Sequence, residues 1–142
     1  MRLQVVIETP ERYDLLIADD NPGFRETLRE LLEPRPLLRL HEVESGEQAL
    51  EYTMDVRIHI VLLDMHMHVL TGLETLRELK CQDALRPCIL ITSEADDQLR
   101  EDAQEADAFT VLSKPVERVE LYASIAEALI DAYQDPNAGS VA

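Results

Sequence analysis

The stretch Ile58-His59-Ile60-Val61-Leu62-Leu63-Asp64 restricts the fold more than any other part of the chain. Three β-branched residues and two leucines crowd together and stop at a carboxylate. A short apolar run of this kind suits a strand buried on both faces, as in a parallel sheet. The next segment, Met65 to Gly72, has no clear period and reads as a loop. Asp64 is therefore expected at the C-terminal end of a central strand, the edge at which open α/β sheets bind ligands.

The rest of the chain repeats this pattern. Tyr13 to Ala18 is a second buried-type run and ends at Asp19-Asp20. Asn21-Pro22-Gly23 starts a helix with Phe24, Leu28, Leu31 and Leu32 on one face, stopped by Pro34 and Pro36. Leu37 to Val43 partly alternates, which suits an edge strand. Ser45-Gly46-Glu47-Gln48 opens a short helix to about Tyr52, and Thr71 caps another with Leu73, Leu76 and Leu79 inward. Pro87 to Ile91 is a fourth strand, ending at Thr92-Ser93.

The acidic segment Asp96 to Asp107 offers only Ala95, Leu99, Ala103 and Ala106 to a core, so a weakly held helix is expected there, with Asp107 left-handed at its end. Ala108 to Leu112 is a fifth strand, followed by Ser113-Lys114-Pro115. A last helix from Val116 to about Tyr133 is expected to bury Val119, Tyr122, Ile125, Ala126, Leu129 and Ile130. Residues 1–12 read as an N-terminal extension, with Leu3 to Ile7 as a short extra strand. Residues 134–142 are small and polar and are expected to be disordered. Strand and helix alternate five times over residues 13–133. This implies one α/β domain: a three-layer, doubly wound, five-stranded parallel sheet of flavodoxin-like order 2-1-3-4-5.

Charge limits what such a domain binds. The 142 residues carry a formal net charge of −16, which disfavours nucleic acid and acidic membrane surfaces and favours a metal cation or a basic partner. No run approaches a membrane span and no signal-peptide pattern is present, which implies a cytoplasmic protein. Cys81 and Cys88 form no CxxC pair and suit a reducing compartment.

Four of the five strands end in polar groups. Asp19, Asp20 and Asp64 supply carboxylates, Thr92 a hydroxyl and Lys114 an ammonium. Two carboxylates about 4 Å apart repel by roughly 4 kcal/mol at an effective dielectric of 20. A cation offsets that cost, and oxygen ligands at a wet edge suit Mg²⁺ or Mn²⁺. Metal, lysine, hydroxyl and one forward carboxylate together suit phosphoryl transfer, with Asp64 as the nucleophile.

In these pieces the chain resembles the receiver domain of two-component response regulators, the CheY-like family, over roughly residues 13–133. The matching elements are Asp19-Asp20 after the first strand, Leu62 to Met67 with Gly72, Thr92-Ser93 after the fourth strand and Lys114-Pro115 after the fifth. The resemblance implies that Asp64 accepts a phosphoryl group from a phosphohistidine on a sensor histidine kinase or phosphotransfer protein. It implies that Asp20, Asp64 and the carbonyl of His66 ligate the metal, that Asp19 acts through water, and that Lys114 and Thr92 contact the phosphoryl oxygens. It further implies a cis Lys114–Pro115 bond and output through the face made by the fourth helix, fifth strand and fifth helix. Such a protein is a phosphoacceptor, not a turnover enzyme.

Two positions depart from the family pattern. His68 stands where a proline usually stiffens the loop after Asp64. Val111 stands where an aromatic usually answers the threonine, with Phe109 two residues earlier on the same face of a regular strand. His66 and Glu94 occupy positions that tune dephosphorylation, and His66 is expected to affect that step more than phosphorylation. Because the chain ends soon after the fifth helix, a stand-alone receiver acting through protein–protein contacts is expected, with homodimerisation left open. The alternatives are a phosphorylation-independent interaction module of the same fold and, ranked last, a Mg²⁺-dependent phosphohydrolase.

Overall fold

A computed structural model describes residues 10–142. The strand expected at Leu3 to Ile7 lies outside the described residues. Five strands alternate with five helices: β1 (Tyr13–Ala18), α1 (Pro22–Leu32), β2 (Leu38–Val43), α2 (Gly46–Asp55), β3 (Ile60–Asp64), α3 (Gly72–Gln82), β4 (Cys88–Thr92), α4 (Asp97–Glu105), β5 (Thr110–Ser113) and α5 (Arg118–Tyr133). All strand pairs are parallel, in the expected order β2-β1-β3-β4-β5.

The apolar runs account for the layers. Every residue of β3 and β4 is buried, so both sheet faces must be covered. On one face, Leu15, Ile17, Ile60, Leu62, Ile89 and Leu112 meet α1 and α5. On the other, Leu16, Val61, Leu63, Leu90 and Val111 meet α2, α3 and α4. Alternation along each strand sends successive residues to opposite layers.

Helix ends follow local chemistry. Asn21 Oδ1 accepts from the Gly23 and Phe24 amides and starts α1. Thr71 and Glu74 form a reciprocal capping box at α3. Asp96 caps α4, whose single fully buried side chain is Ala103, and Asp107 ends it at φ 64° as expected.

Two expectations are corrected. In α5 the buried stripe is Leu121, Tyr122, Ile125, Ala126, Ala128 and Leu129, while Val119 is 68% exposed and Ile130 37% exposed. The helix starts at Arg118, and at 100° per residue both outliers fall roughly 100–120° from the stripe's centre. The tail is the second case. Residues Pro136–Val141, expected to be disordered, form a 3-10 helix with Ala138 and Val141 fully buried against the α1–α5 cluster. The Tyr13 hydroxyl donates to Asp135 Oδ2 at 2.6 Å. Two small apolar residues three apart on a tight helix gave a signal too weak to read as burial.

Beside this contact, His59 is buried and its Nδ1 accepts from the Asp14 amide at 2.9 Å, which fixes the neutral tautomer with the proton on Nε2. Burial holds its pKa below the ordinary 6.5; Asp14 opposes that shift and Arg57 adds to it. The unfolded chain therefore takes up this proton first as pH falls. His59 stability is complete above pH 6.5 and is lost as pH drops toward its lower folded value.

Urea unfolding is expected to show stability falling below pH 6.5, with a shallower slope in His59→Gln. Deleting residues 135–142 is expected to cost about 2–4 kcal/mol, from the lost Val141 burial and an orphaned Tyr13 hydroxyl; an unchanged urea midpoint would refute the docked tail.

Candidate acidic site at the strand ends

The C-terminal edge of the sheet gathers the polar residues that end its strands. β1 delivers Asp19 and Asp20, β3 delivers Asp64, β4 delivers Thr92 and β5 leads into Lys114. Asp64 pairs in register with Ile91, and Thr92 with Ser113, so the carboxylate and hydroxyl end adjacent strands. Backbone bonds lock these ends: the Asp19 amide donates to Val43 O, Met65 to Ile91 O and Lys114 to Thr92 O.

One carboxylate oxygen from each of Asp19, Asp20 and Asp64 lies within 4.8 Å of the others. Asp19 and Asp64 are buried, at 1% and 5% exposure. Lys114 Nζ stands 3.0 Å from Asp64 Oδ1 and 3.6 Å from Asp19 Oδ2. Both buried oxygens are paired to the ammonium by charge but accept no hydrogen bond. Asp19 Oδ1 accepts from the Asn21 amide at 2.8 Å. Burial, more than any neighbour, raises the Asp19 pKa; the Asn21 amide lowers it, Asp64 raises it, Lys114 lowers it and Asp20 raises it.

Two buried carboxylates, each with an oxygen lacking a hydrogen bond, in a three-acid cluster suit a hard divalent cation. Asp19, Asp20 and Asp64 could hold one. His66 is exposed in the loop beyond β3, next but one to Asp64. Thr92 is fully buried, and its Oγ1 accepts from the Glu94 amide at 3.1 Å. Lys114–Pro115 is cis.

The loop after Asp64 passes very close to the strand end. A Cβ on Gly72 would lie 2.4 Å from Asp64 O and 2.8 Å from Met65 Cα, so only glycine fits. Val69 is left-handed at φ 68° and 84% exposed, a strained conformation for a β-branched residue. His68, in the position of the missing proline, brings Nε2 to 3.6 Å from Asp20 Oδ2. Glu47 of α2 accepts from the Leu70 amide at 3.2 Å and ties the loop down from the side.

Phe109 departs from expectation. β5 begins at Thr110, two residues later than expected, so Phe109 precedes the strand and packs with the α1–α5 cluster while Val111 faces the other layer. No aromatic ring therefore follows Val111 on its face of β5.

The sequence reading missed three supporting residues. Phe24 places its ring 3.9 Å from Lys114 Nζ, a cation–π contact that holds the ammonium over the site. Arg25 donates to Asp19 O at 2.6 Å and reaches toward Glu42 and Glu44. Glu47 is the third. Phe24 was legible only as an apolar helix position, and the two charged residues as solvated helix faces.

Comparison with known proteins agrees with this architecture. The family model of the response regulator receiver domain matches residues 15–126. A protein-glutamate methylesterase/protein-glutamine glutaminase of Hahella chejuensis is 31% identical over 105 residues, 72% of this chain and 30% of that protein. A cyclic di-GMP phosphodiesterase response regulator of Xanthomonas campestris pv. campestris is 34% identical over 113 residues, 78% of this chain and 30% of that protein. The chain thus spans under a third of the length of these two relatives. The signal receiver domain of an HD domain-containing protein from Pseudomonas fluorescens Pf-5 superposes with a TM-score of 0.82 at 26% identity, covering 87% of this chain and 99% of that one. No helix among the described residues is long and apolar enough to cross a membrane. The family match spans most of the chain and coincides with the sheet that carries the acidic cluster; the chain belongs to the response regulator receiver domain family.

Proposed function

We propose that Asp64 accepts a phosphoryl group from a phosphohistidine of a sensor histidine kinase or phosphotransfer protein, and that the phosphorylated domain signals through protein–protein contacts. The observation that carries this reading is the Lys114 ammonium 3.0 Å from Asp64 Oδ1, beside two further carboxylates within ligand distance. Three carboxylates and one ammonium sum to about −2, the charge that one Mg²⁺ or Mn²⁺ balances. Asp20, Asp64 and the His66 carbonyl would ligate it, with Asp19 acting through water. Once bound, the metal supplies positive charge to the oxygens of the transferring group.

The residues divide the remaining work. An Asp64 oxygen attacks phosphorus, the N–P bond breaks, and the donor imidazole leaves with that electron pair, giving an acyl phosphate. Lys114, held over the site by the Phe24 ring, keeps positive charge beside the incoming oxygens. The Thr92 oxygen already accepts from Glu94, so its own proton remains for a phosphoryl oxygen. His66 and Glu94 flank the approach of the water that later hydrolyses the acyl phosphate.

Output is assigned to the face of α4, β5 and α5. On that face α4 buries little of its own surface, with Ala103 its single fully buried side chain. A second reading, a phosphorylation-independent interaction module, is favoured by the Val111 face lacking an aromatic partner.

Incubation with acetyl phosphate and Mg²⁺ is expected to add the mass of one phosphoryl group, and Asp64→Asn to abolish it. No added mass on the wild-type chain would select the second reading. Asp19→Asn keeps the oxygen that accepts from Asn21 and removes one buried charge. It is expected to raise metal-free stability by about 1–2 kcal/mol and to weaken Mg²⁺ binding about tenfold or more. The raised Asp19 pKa means that the ionised cluster costs stability at neutral pH and is relieved as pH falls. The rise in melting temperature on adding Mg²⁺ is therefore expected to be larger at pH 7.5 than at pH 5.

A further inference from the structure

A second candidate site lies at the opposite edge of the sheet, where β3 and β4 begin. A cavity of about 500 Å³ opens there between the C-terminal ends of α2 and α3. That volume falls within the range of small-molecule sites. Asp64 ends the strand that Ile58 leads into, so the two sites are about 20 Å apart along the sheet.

Arg86 forms the floor of the cavity and is only 5% exposed. Its NH2 makes two long contacts, to Leu79 O at 3.4 Å and Gln82 Oε1 at 3.3 Å. Its buried Nε has no hydrogen-bond partner. Among the described residues no carboxylate comes within ion-pair distance of it. A buried cation without a counter-charge is costly, and the cost is relieved by an anion that reaches it.

The wall is suited to such an anion. Arg57 stands exposed at the mouth and adds a second guanidinium. Asp83 is the single carboxylate of the lining, and its Oδ1 accepts from the Leu85 amide. In a chain of net charge −16, a pocket with two arginines and one acid stands out against its surroundings. The planar fork of a guanidinium pairs bidentately with two oxygens of a phosphate. Beside them, Ile58 and the Tyr133 ring give an apolar surface, and the Tyr133 hydroxyl is already committed to His59 O at 2.5 Å.

We propose that this cavity binds a phosphate-bearing small molecule of mononucleotide size, its phosphate held by Arg86 and Arg57 and its body lying against Ile58 and Tyr133. The inference does not depend on phosphorylation of Asp64.

The test titrates the full chain without Mg²⁺ against AMP, inorganic phosphate and adenosine, reading backbone amide shifts by NMR. The same titration on Asp64→Asn controls for anion binding at the acidic site. AMP is expected to shift the amides of Thr53, Gln82 and Leu85 in both proteins, and adenosine to shift none. Affinity for AMP is expected to fall about tenfold or more in Arg57→Gln and in Arg86→Met. Without ligand, Arg86→Met is expected to melt at or above the wild-type temperature, since it removes an unpaired buried charge; a structural strut would melt lower. Arg57→Gln, at the exposed mouth, carries the test alone if Arg86→Met does not fold. Shifts confined to Asp20, Met65 and Thr92, equal binding of adenosine, or AMP affinity unchanged in Arg57→Gln would each overturn the proposal.

Discussion

Three carboxylates held within 4.8 Å of one another, two of them buried, set the terms for the rest of this domain. Like charges at that range repel by several kcal/mol in a partly shielded environment. Lys114 alone stands in ion-pair contact with both buried members among the described residues, and it does so at the end of a different strand. The arrangement survives because rigid scaffold fixes each end. The four strands contributing side chains run parallel and in register, and backbone bonds continue past their ends into the loops. The apolar runs that bury β3 and β4 on both faces hold the carboxylates at a low-dielectric boundary, where their charge is most strongly felt.

The loop beyond Asp64 shows how that boundary is enforced. Gly72 passes so close to the Asp64 carbonyl that no side chain is admitted. Where a proline would ordinarily stiffen the segment, the chain uses contacts from outside it: Glu47 grips the Leu70 amide and His68 approaches Asp20. The left-handed Val69 shows that the loop is held against its local preference. Stiffness lost from the backbone is thus partly restored by α2.

The far edge of the sheet is organised differently. There the polar groups are matched in pairs: Tyr13 with Asp135, His59 with the Asp14 amide, Tyr133 with the His59 carbonyl. These bonds anchor the strand beginnings and dock the C-terminal segment. Arg86 is the exception, buried without a charge partner, and it is the feature that sets the base cavity apart.

The alternation of short apolar runs with amphipathic segments was enough to specify a parallel α/β sheet, its strand order and the polar residues at four of its strand ends. Those features depend on local periodicity and on handedness rules that hold for nearly all such chains. The sequence could therefore place Asp19, Asp20, Asp64, Thr92 and Lys114 at one edge without coordinates. It could not place Phe24 under the lysine, turn Phe109 away from Val111, dock residues 136–141 on α5, or leave Arg86 unpaired. Each of these depends on where a helix sits in its rotation or where a strand begins, to within a single residue. A shift that small leaves the hydrophobic pattern intact but moves a side chain to another layer, so only the packed tertiary structure decides it.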